Sequence, residues 1–442
     1  MAKPDMLEIA RGAARTALAK GAREAGVSLS RVRDVTLEWR DGKIDKINEA
    51  TTRRVSLDLF VDGRYSVATS SDLRPEALVT FIADSVANTR TLAEDPHRSL
   101  PEPSLYKGQA KADLELVDAA YASVTPERRR ETARAMEDAA RSAKGADRIL
   151  SVTTGFNDNR QETVRVHTNG FEGEHEETSF WVYAEVSVKD PDGRRPEDWS
   201  AAGVRFVGEM PAAEAVGREA AERALSRLGA KKAESALFTM VLDPRAGGRL
   251  VGAFGAALSG AVLQQKRSFL EGKAGTTIAS PQLDVADDPL VPKGLASRLF
   301  DGEGIAAKRL PIVEKGVLRH YYVDTYYGKK LEMAPTTGGR SNLRWTLGEK
   351  SQKELLADAG DAILVTGFIG GNSNSTTGDF SFGVQGFRVR GGQVAEPVAE
   401  MNISGNHLEL WKRLVAVGND PYPYSSVYTP TLVFEGVQFA GV

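Results

Sequence analysis

The sequence offers few groups that could do chemistry. It contains five histidines, His97, His167, His175, His320 and His407, and no cysteine. Without thiols there can be no disulfide, thiolate nucleophile, Fe–S cluster or Cys-ligated zinc. The histidines are far apart in sequence. Only His175-Glu176 begins like a zinc-binding helix motif, but it continues Glu177-Thr178-Ser179-Phe180 in a stretch that reads as strand. No second imidazole arrives one helical turn later, so a solvated strand position is expected there. Asp301-Gly302-Glu303 together with Asp324 could hold a hard cation, although scattered carboxylates are ordinarily solvated. His320, beside Tyr321 and Tyr322, reads as packed or hydrogen-bonded. The run Gly371-Asn372-Ser373-Asn374-Ser375 lacks the final glycine of a nucleophile elbow, and Gly371 to Gly378 lacks the lysine of a phosphate-binding loop.

One polar segment stands apart. From Gly370 to Asp379 no side chain is apolar. Asn372, Ser373, Asn374, Ser375, Thr376, Thr377 and Asp379 either solvate a surface turn or line a polar site that holds a substrate or partner through main-chain hydrogen bonds.

The elements that must position these residues follow from periodicity. Residues 4–26 carry a helical stripe. Two strand pairs follow, turning at Asp41-Gly42 and Asp62-Gly63, where both central turn positions need positive φ. Helices are predicted over 75–91 and 125–144, the second opened by Thr125-Pro126. Strands are expected at 149–156, 163–168, 179–188 and 200–206, and a helix over 211–228. A domain boundary is placed after Ala230, giving an α+β domain over 1–230 and a β-rich one over 231–442. The second begins with a strand over 236–242. A helix over 245–265 follows, rich in small residues that suggest close approach of another backbone. Strands dominate after Leu310, with a short helix near 408–415. The expected class is α+β: an antiparallel or mixed N-terminal sheet with flanking helices, then a curved, barrel-like and mostly antiparallel sheet with few helices.

Composition narrows the function. The chain has 442 residues, 57 Lys+Arg and 60 Asp+Glu, for a net charge of −3. A nucleic-acid partner is not expected, because phosphate recognition ordinarily needs a basic excess. The N-terminal residues carry spread charges and no apolar core of a signal sequence, and the charge-free run 250–265 is too short to span a bilayer. A cytoplasmic protein without membrane contact is expected.

Several blocks in the second half then resemble the TldD/PmbA family, formerly labelled modulators of DNA gyrase. They are RLVGAFGAALSGAVLQQKRSFL (249–270), KGLASRLFDGEGI (293–305), TGDFSFG (377–383), ISGN (403–406) and VAVGND (415–420), in that order. The first half is similar more loosely, through its hairpin order and ATSSD (68–72). The TldD branch carries HExxxH on the helix that opens the C-terminal domain and a cysteine further on, which together hold zinc. Here the matching helix residues are Leu250, Val251, Gly252, Ala253, Phe254, Gly255 and Ala256, and 244–270 contains no His, Asp, Glu or Cys. The sequence therefore resembles the TldE (PmbA) branch.

This resemblance implies one subunit of a heterodimeric metallopeptidase that processes unfolded or leader-bearing peptides. This chain would contribute no catalytic residue and no metal ligand, and it would bind no cofactor. A TldD-like paralogue would bring zinc, and an extended peptide would be the substrate. The small-residue helix is then either core packing or a remnant of the metal site's shape. Two other readings stay open: a non-enzymatic regulator of a partner such as DNA gyrase, or a homodimer with its own hydrolytic site near Asp301, Glu303 or the loop Asn372–Asp379.

Overall fold

A computed structural model describes residues 3–441; residues 1, 2 and 442 of the two expected domains lie outside it. The first half is one six-stranded antiparallel sheet covered by four helices. The elements are α1 (Lys3–Ala19), β1 (Glu24–Arg40), β2 (Lys43–Val61), β3 (Arg64–Ser70), α2 (Pro75–Thr89), α3 (Pro126–Arg141), β4 (Ile149–His167), β5 (Glu172–Val188), β6 (Glu197–Val204) and α4 (Ala213–Ser226). The strand order is β3-β2-β1-β4-β5-β6.

Both Asp-Gly turns form as expected. Asp41 and Gly42, and likewise Asp62 and Gly63, have positive φ. The N-terminal helix ends at Ala19, earlier than its stripe suggests: Gly21 turns left-handed at φ 100°, and the chain enters β1. The two short strands expected at 149–156 and 163–168 are one strand. The polar residues between them, Asn157 to Glu162, pair with β1 on one side and β5 on the other. Residues 27, 29 and 37 share one parity in β1, and 152, 156, 164 and 166 share one in β4. Two core clusters therefore lie on the same sheet face, one under α1 and α2, the other under α3 and α4. α3 and α4 touch at Gly217, where a Cβ would lie 1.9 Å from the Met136 carbonyl oxygen.

The second half contains β7 (Ala236–Leu242), α5 (Pro244–Gly255), α6 (Gly260–Gln264), β8 (Val285–Asp288), β9 (Leu310–Glu314), β10 (Val317–Leu318), α7 (Thr325–Leu331), β11 (Asn342–Trp345), α8 (Gln352–Ala359), β12 (Ala362–Ser373), β13 (Asp379–Arg390), β14 (Gln393–Asn406), α9 (His407–Lys412), β15 (Leu414–Val417) and β16 (Leu432–Ala440). The order β14-β13-β12-β7-β16-β15, with a further β14–β16 pairing, closes five strands into a barrel. Only β7–β12 is parallel. Closure removes exposed sheet edges and encloses the largest core cluster. A smaller sheet, β10-β9-β8-β11, stands beside it.

Two expectations fail here and a third holds only at one residue. The helix expected over 245–265 is broken. α5 ends at Gly255, a single 3-10 turn follows, and Ser259 is extended (ψ 134°) before α6. The segment around Tyr322 causes the break: Gly260 N–H donates to the Tyr322 carbonyl at 2.8 Å, and Tyr322 N–H donates to the Leu258 carbonyl at 2.9 Å. Strands are expected to dominate after Leu310, but β10 stops at Leu318 and α7 follows, N-capped by Asp324 accepting from Tyr327 N–H. Finally, the close backbone approach expected of the small residues over 245–265 occurs at Gly260, where a Cβ would lie 3.3 Å from the Tyr322 carbonyl oxygen, and not at the glycines of α5. A Cβ on Gly248, Gly252 or Gly255 would meet nothing within 4 Å, and Gly247 alone is tight, against the Thr429 side chain.

Among the described residues no helix is long and apolar enough to cross a membrane.

Candidate functional site

α5, the β12–β13 hairpin and α9 converge on one region. Asp243 caps α5 by accepting from Arg245 N–H at 2.9 Å, and Pro244 occupies its first turn. Leu250, Val251 and Phe254 point into the core, while Gly252, Ala253 and Gly255 are half-buried and Ala256 is exposed. Arg249 leaves the exposed side and donates to the Gly370 carbonyl at 2.6 Å, tying the helix to the end of β12.

The polar segment is more ordered than its composition suggests. β12 runs to Ser373 and β13 starts at Asp379, so Asn372 and Ser373 are paired with Ser381 and Phe380. Gly371 makes this possible at φ 86°, where a Cβ would lie 2.2 Å from the Ser381 carbonyl oxygen. The remaining turn is held by its own bonds. Asn374 N–H donates to Asp379 O, Gly378 N–H to Asn374 O, and Thr376 N–H to Asn374 Oδ1. Asp379 N–H donates to Thr377 Oγ1. Its base is clamped from outside: Phe269 N–H donates to Ser375 O, His407 N–H to Gly378 O, and Asn406 Nδ2 to Thr377 O and Asp379 Oδ1. Side-chain hydrogen bonding by Asn406 first, and then by Thr377, holds the exposed Asp379 carboxyl below its usual range.

His407 sits beneath. It is fully buried, lies 2.9 Å from Ser373 Oγ through Nε2, and stacks on Phe269 with Phe254 and Phe380 at its edges. Burial pushes its pKa down to about 4, so it is neutral near pH 7. Among the described residues its Nδ1 has no hydrogen-bond partner. Sequence reasoning saw His407 only as one of five scattered histidines. Its adjacency to the block ISGN was the one available sign that it belonged to this site.

Beside α5 lies an apolar cavity of about 220 Å³. Its walls include Phe254, Leu283, Ile312, Leu343, Trp345 and Trp411, with Gly338, Gly339 and Arg340 also contributing. Nothing in the sequence pattern marked it, because its walls come from six separate stretches of chain.

The other candidates resolve differently. Asp301 is a loop organiser: its Oδ1 accepts from Glu303 and Ile305 N–H. Glu303 is raised to about 7, by burial first and then by Asp301 and Asp324, while Thr325 N–H donates to its Oε2. His175 contacts Glu177 at 3.2 Å, and His320 Nδ1 lies 2.8 Å from the Pro311 carbonyl. His167 is buried against Tyr106 and Phe171, and its pKa is depressed to about 3 by burial and then by Arg165. The carboxylates near 301–303 and the hairpin near 372–379 are separate places in the fold. The hairpin and α5 are brought together.

A zinc ion is the group that family resemblance implies. The α5 side chains that would face it are aliphatic, aromatic or absent, with no lone pair to offer. The nearest imidazole, His407, is held at Ser373 among aromatic rings. Among the described residues no group of three or more His, Asp or Glu side chains could hold a metal. The residues present do not fit a catalytic zinc.

Comparison with known proteins places this geometry in context. Residues 235–441 match the PmbA/TldA metallopeptidase C-terminal domain, 120–228 the central domain and 25–89 domain 1. A protein described as Metalloprotease PmbA from Escherichia coli O157:H7 is 28% identical over 425 residues, covering 94% of this chain and 92% of that one. A crystal structure from Bacteroides thetaiotaomicron, described as a proposed modulator of DNA gyrase, is 40% identical with TM-score 0.96, covering 100% of both chains. TldE from Thermococcus kodakarensis shares the fold at 20% identity and TM-score 0.86, over 98% of this chain and 100% of that one.

Proposed function

This chain belongs to the PmbA/TldD metallopeptidase family, and on that premise we propose that it is the subunit of a two-chain peptidase that binds no catalytic metal. The observation that carries the reading is α5. At the position where the resemblance calls for imidazoles and a carboxylate, this helix presents Leu250, Val251, Gly252, Ala253, Phe254, Gly255 and Ala256. Hydrocarbon and hydrogen can neither ligate zinc nor take a proton from water.

A TldD-like paralogue carrying HExxxH then supplies the metal and the general base. This chain supplies shape: the α5 face, the clamped hairpin Asn372–Asp379 and part of an enclosure that admits only extended peptides. Such chains are read chiefly through their backbone, which tolerates many side-chain sequences. The missing cysteines suit a reducing compartment, so we assign the complex to the cytoplasm.

The test is reconstitution. Purified alone, the chain is expected to carry no stoichiometric zinc and to cleave no unfolded peptide. Mixed with its TldD-like paralogue, chelator-sensitive cleavage should appear. Chelator-sensitive peptidase activity from the lone chain would overturn the assignment, as would capture of DNA gyrase in place of a TldD-like chain from the native cytoplasm.

A further inference from the structure

We propose that the cavity beside α5 is a binding pocket for the C-terminal residue of an extended peptide: a large apolar side chain inside and the free carboxylate on Arg340. The proposal rests on the reading above that peptides are the substrate class, and it adds which end of the peptide this subunit holds.

Three features of the cavity specify the ligand. Its walls are aromatic and branched aliphatic, and its volume is about 220 Å³. An apolar cavity of roughly 150 Å³ accepts benzene, and ligands of drug size need on the order of 300 Å³ or more. The space therefore matches one large side chain. Second, Arg340 is the one charged residue of the lining; its side chain is exposed, and among the described residues it has no ion-pair partner. A guanidinium at the edge of an apolar space is suited to a carboxylate through paired N–H donors. Third, Trp411 is 1% exposed and, among the described residues, its indole Nε1 has no hydrogen-bond partner, although the other wall indole, Trp345, donates to the Val427 carbonyl at 2.9 Å. A buried indole N–H without an acceptor is rare in a finished core. That N–H is itself shut off from the cavity space, so a peptide carbonyl entering with the side chain would reach it once the Trp411 ring turns.

The rim is built to stay open. A Cβ on Gly255 or Gly339 would meet nothing within 4 Å. The strap that carries Gly338 and Gly339 is pinned at both ends. Thr336 N–H donates to Val323 O, and Ser341 N–H donates to Asp287 Oδ2 at 2.7 Å. Arg298 holds its middle through the Gly339 and Arg340 carbonyls. The cavity mouth is thus shaped by absent side chains on a fixed frame.

Trp345 and Trp411 supply the readout. The full-length purified chain is titrated with Gly-Ala-Gly-Ala-Phe while intrinsic fluorescence is followed, so neither partner nor metal is needed. A saturable change is expected with the free acid, and at least tenfold weaker binding with its C-terminal amide or with Gly-Ala-Gly-Ala-Asp. Arg340→Gln should bind acid and amide alike, at the amide's affinity. Gly255→Leu, with an unchanged circular dichroism spectrum, should abolish the response. No saturable change, equal affinity for acid and amide in the parent chain, or saturation by octanoate as tight as by the peptide would each overturn the proposal. The two-chain assignment is decided separately, by zinc content and reconstituted cleavage.

Discussion

Ser373 Oγ lies 2.9 Å from Nε2 of His407, which joins the end of β12 to the start of α9 across 34 residues of chain. The imidazole is neutral because it is buried, and its neutrality is part of the stability of the hairpin. In the unfolded chain this group titrates near 6.5, and in the folded chain at about 4. Between those values the unfolded state binds the extra proton. The stabilisation is therefore complete above pH 6.5 and lost as pH falls toward 4, a difference on the order of 3 kcal/mol. Glu303 works against this over the same window, so the readout is the difference between chains: from pH 7 to pH 4, urea unfolding of His407→Gln should show a pH slope smaller by about one proton than that of the parent. An unchanged slope would show that His407 does not titrate as its burial requires.

Glu303 should act in the opposite sense. Its folded pKa is raised to about 7 from 4.5, by burial and by the Asp301 and Asp324 carboxylates. Its contribution is full below pH 4.5 and is lost as pH rises toward 7. Glu303→Gln keeps an acceptor for Thr325 N–H without the charge. The variant is expected to be about 1–3 kcal/mol more stable than the parent at pH 8 and no more stable at pH 4, by denaturant unfolding.

The glycines near the site separate into two kinds. Gly252 is helical with open space around its missing Cβ, so Gly252→Ala should stabilise by about 0.5–1 kcal/mol. Gly371 has φ 86° and the Ser381 carbonyl 2.2 Å from where a Cβ would be. Gly371→Ala should cost at least about 1 kcal/mol and loosen the hairpin, visible as faster amide exchange at Asn374 and Gly378. Destabilisation by Gly252→Ala would restore the idea that the small face of α5 packs against something.

A buried pair supports the first half. Arg129 Nε and Nη2 donate to Asp158 at 2.5 and 3.0 Å, with side-chain exposures of 3% and 0%. Asp158→Ala leaves the Arg129 guanidinium buried without its carboxylate. A loss of about 3–5 kcal/mol is expected in equilibrium denaturation, against a much smaller effect for Asp147→Ala, whose ion pair with Arg148 is largely exposed.

What the sequence by itself determined was local or negative. The turns at Asp41-Gly42 and Asp62-Gly63, the strand 236–242 and the helix opened by Thr125-Pro126 were legible because backbone sterics within a few residues decide them. That 244–270 carries no His, Asp, Glu or Cys was equally legible, because it is a matter of residue type alone. The tertiary structure alone decided the rest. It broke the helix at Ser259, because Tyr322, distant in sequence, takes the backbone bonds there. It turned a polar loop into a clamped hairpin over a buried imidazole, since the clamp comes from Phe269, Asn406 and His407. And it opened a cavity lined from six stretches of chain, whose shape and unpaired groups exist only once the fold brings those stretches together.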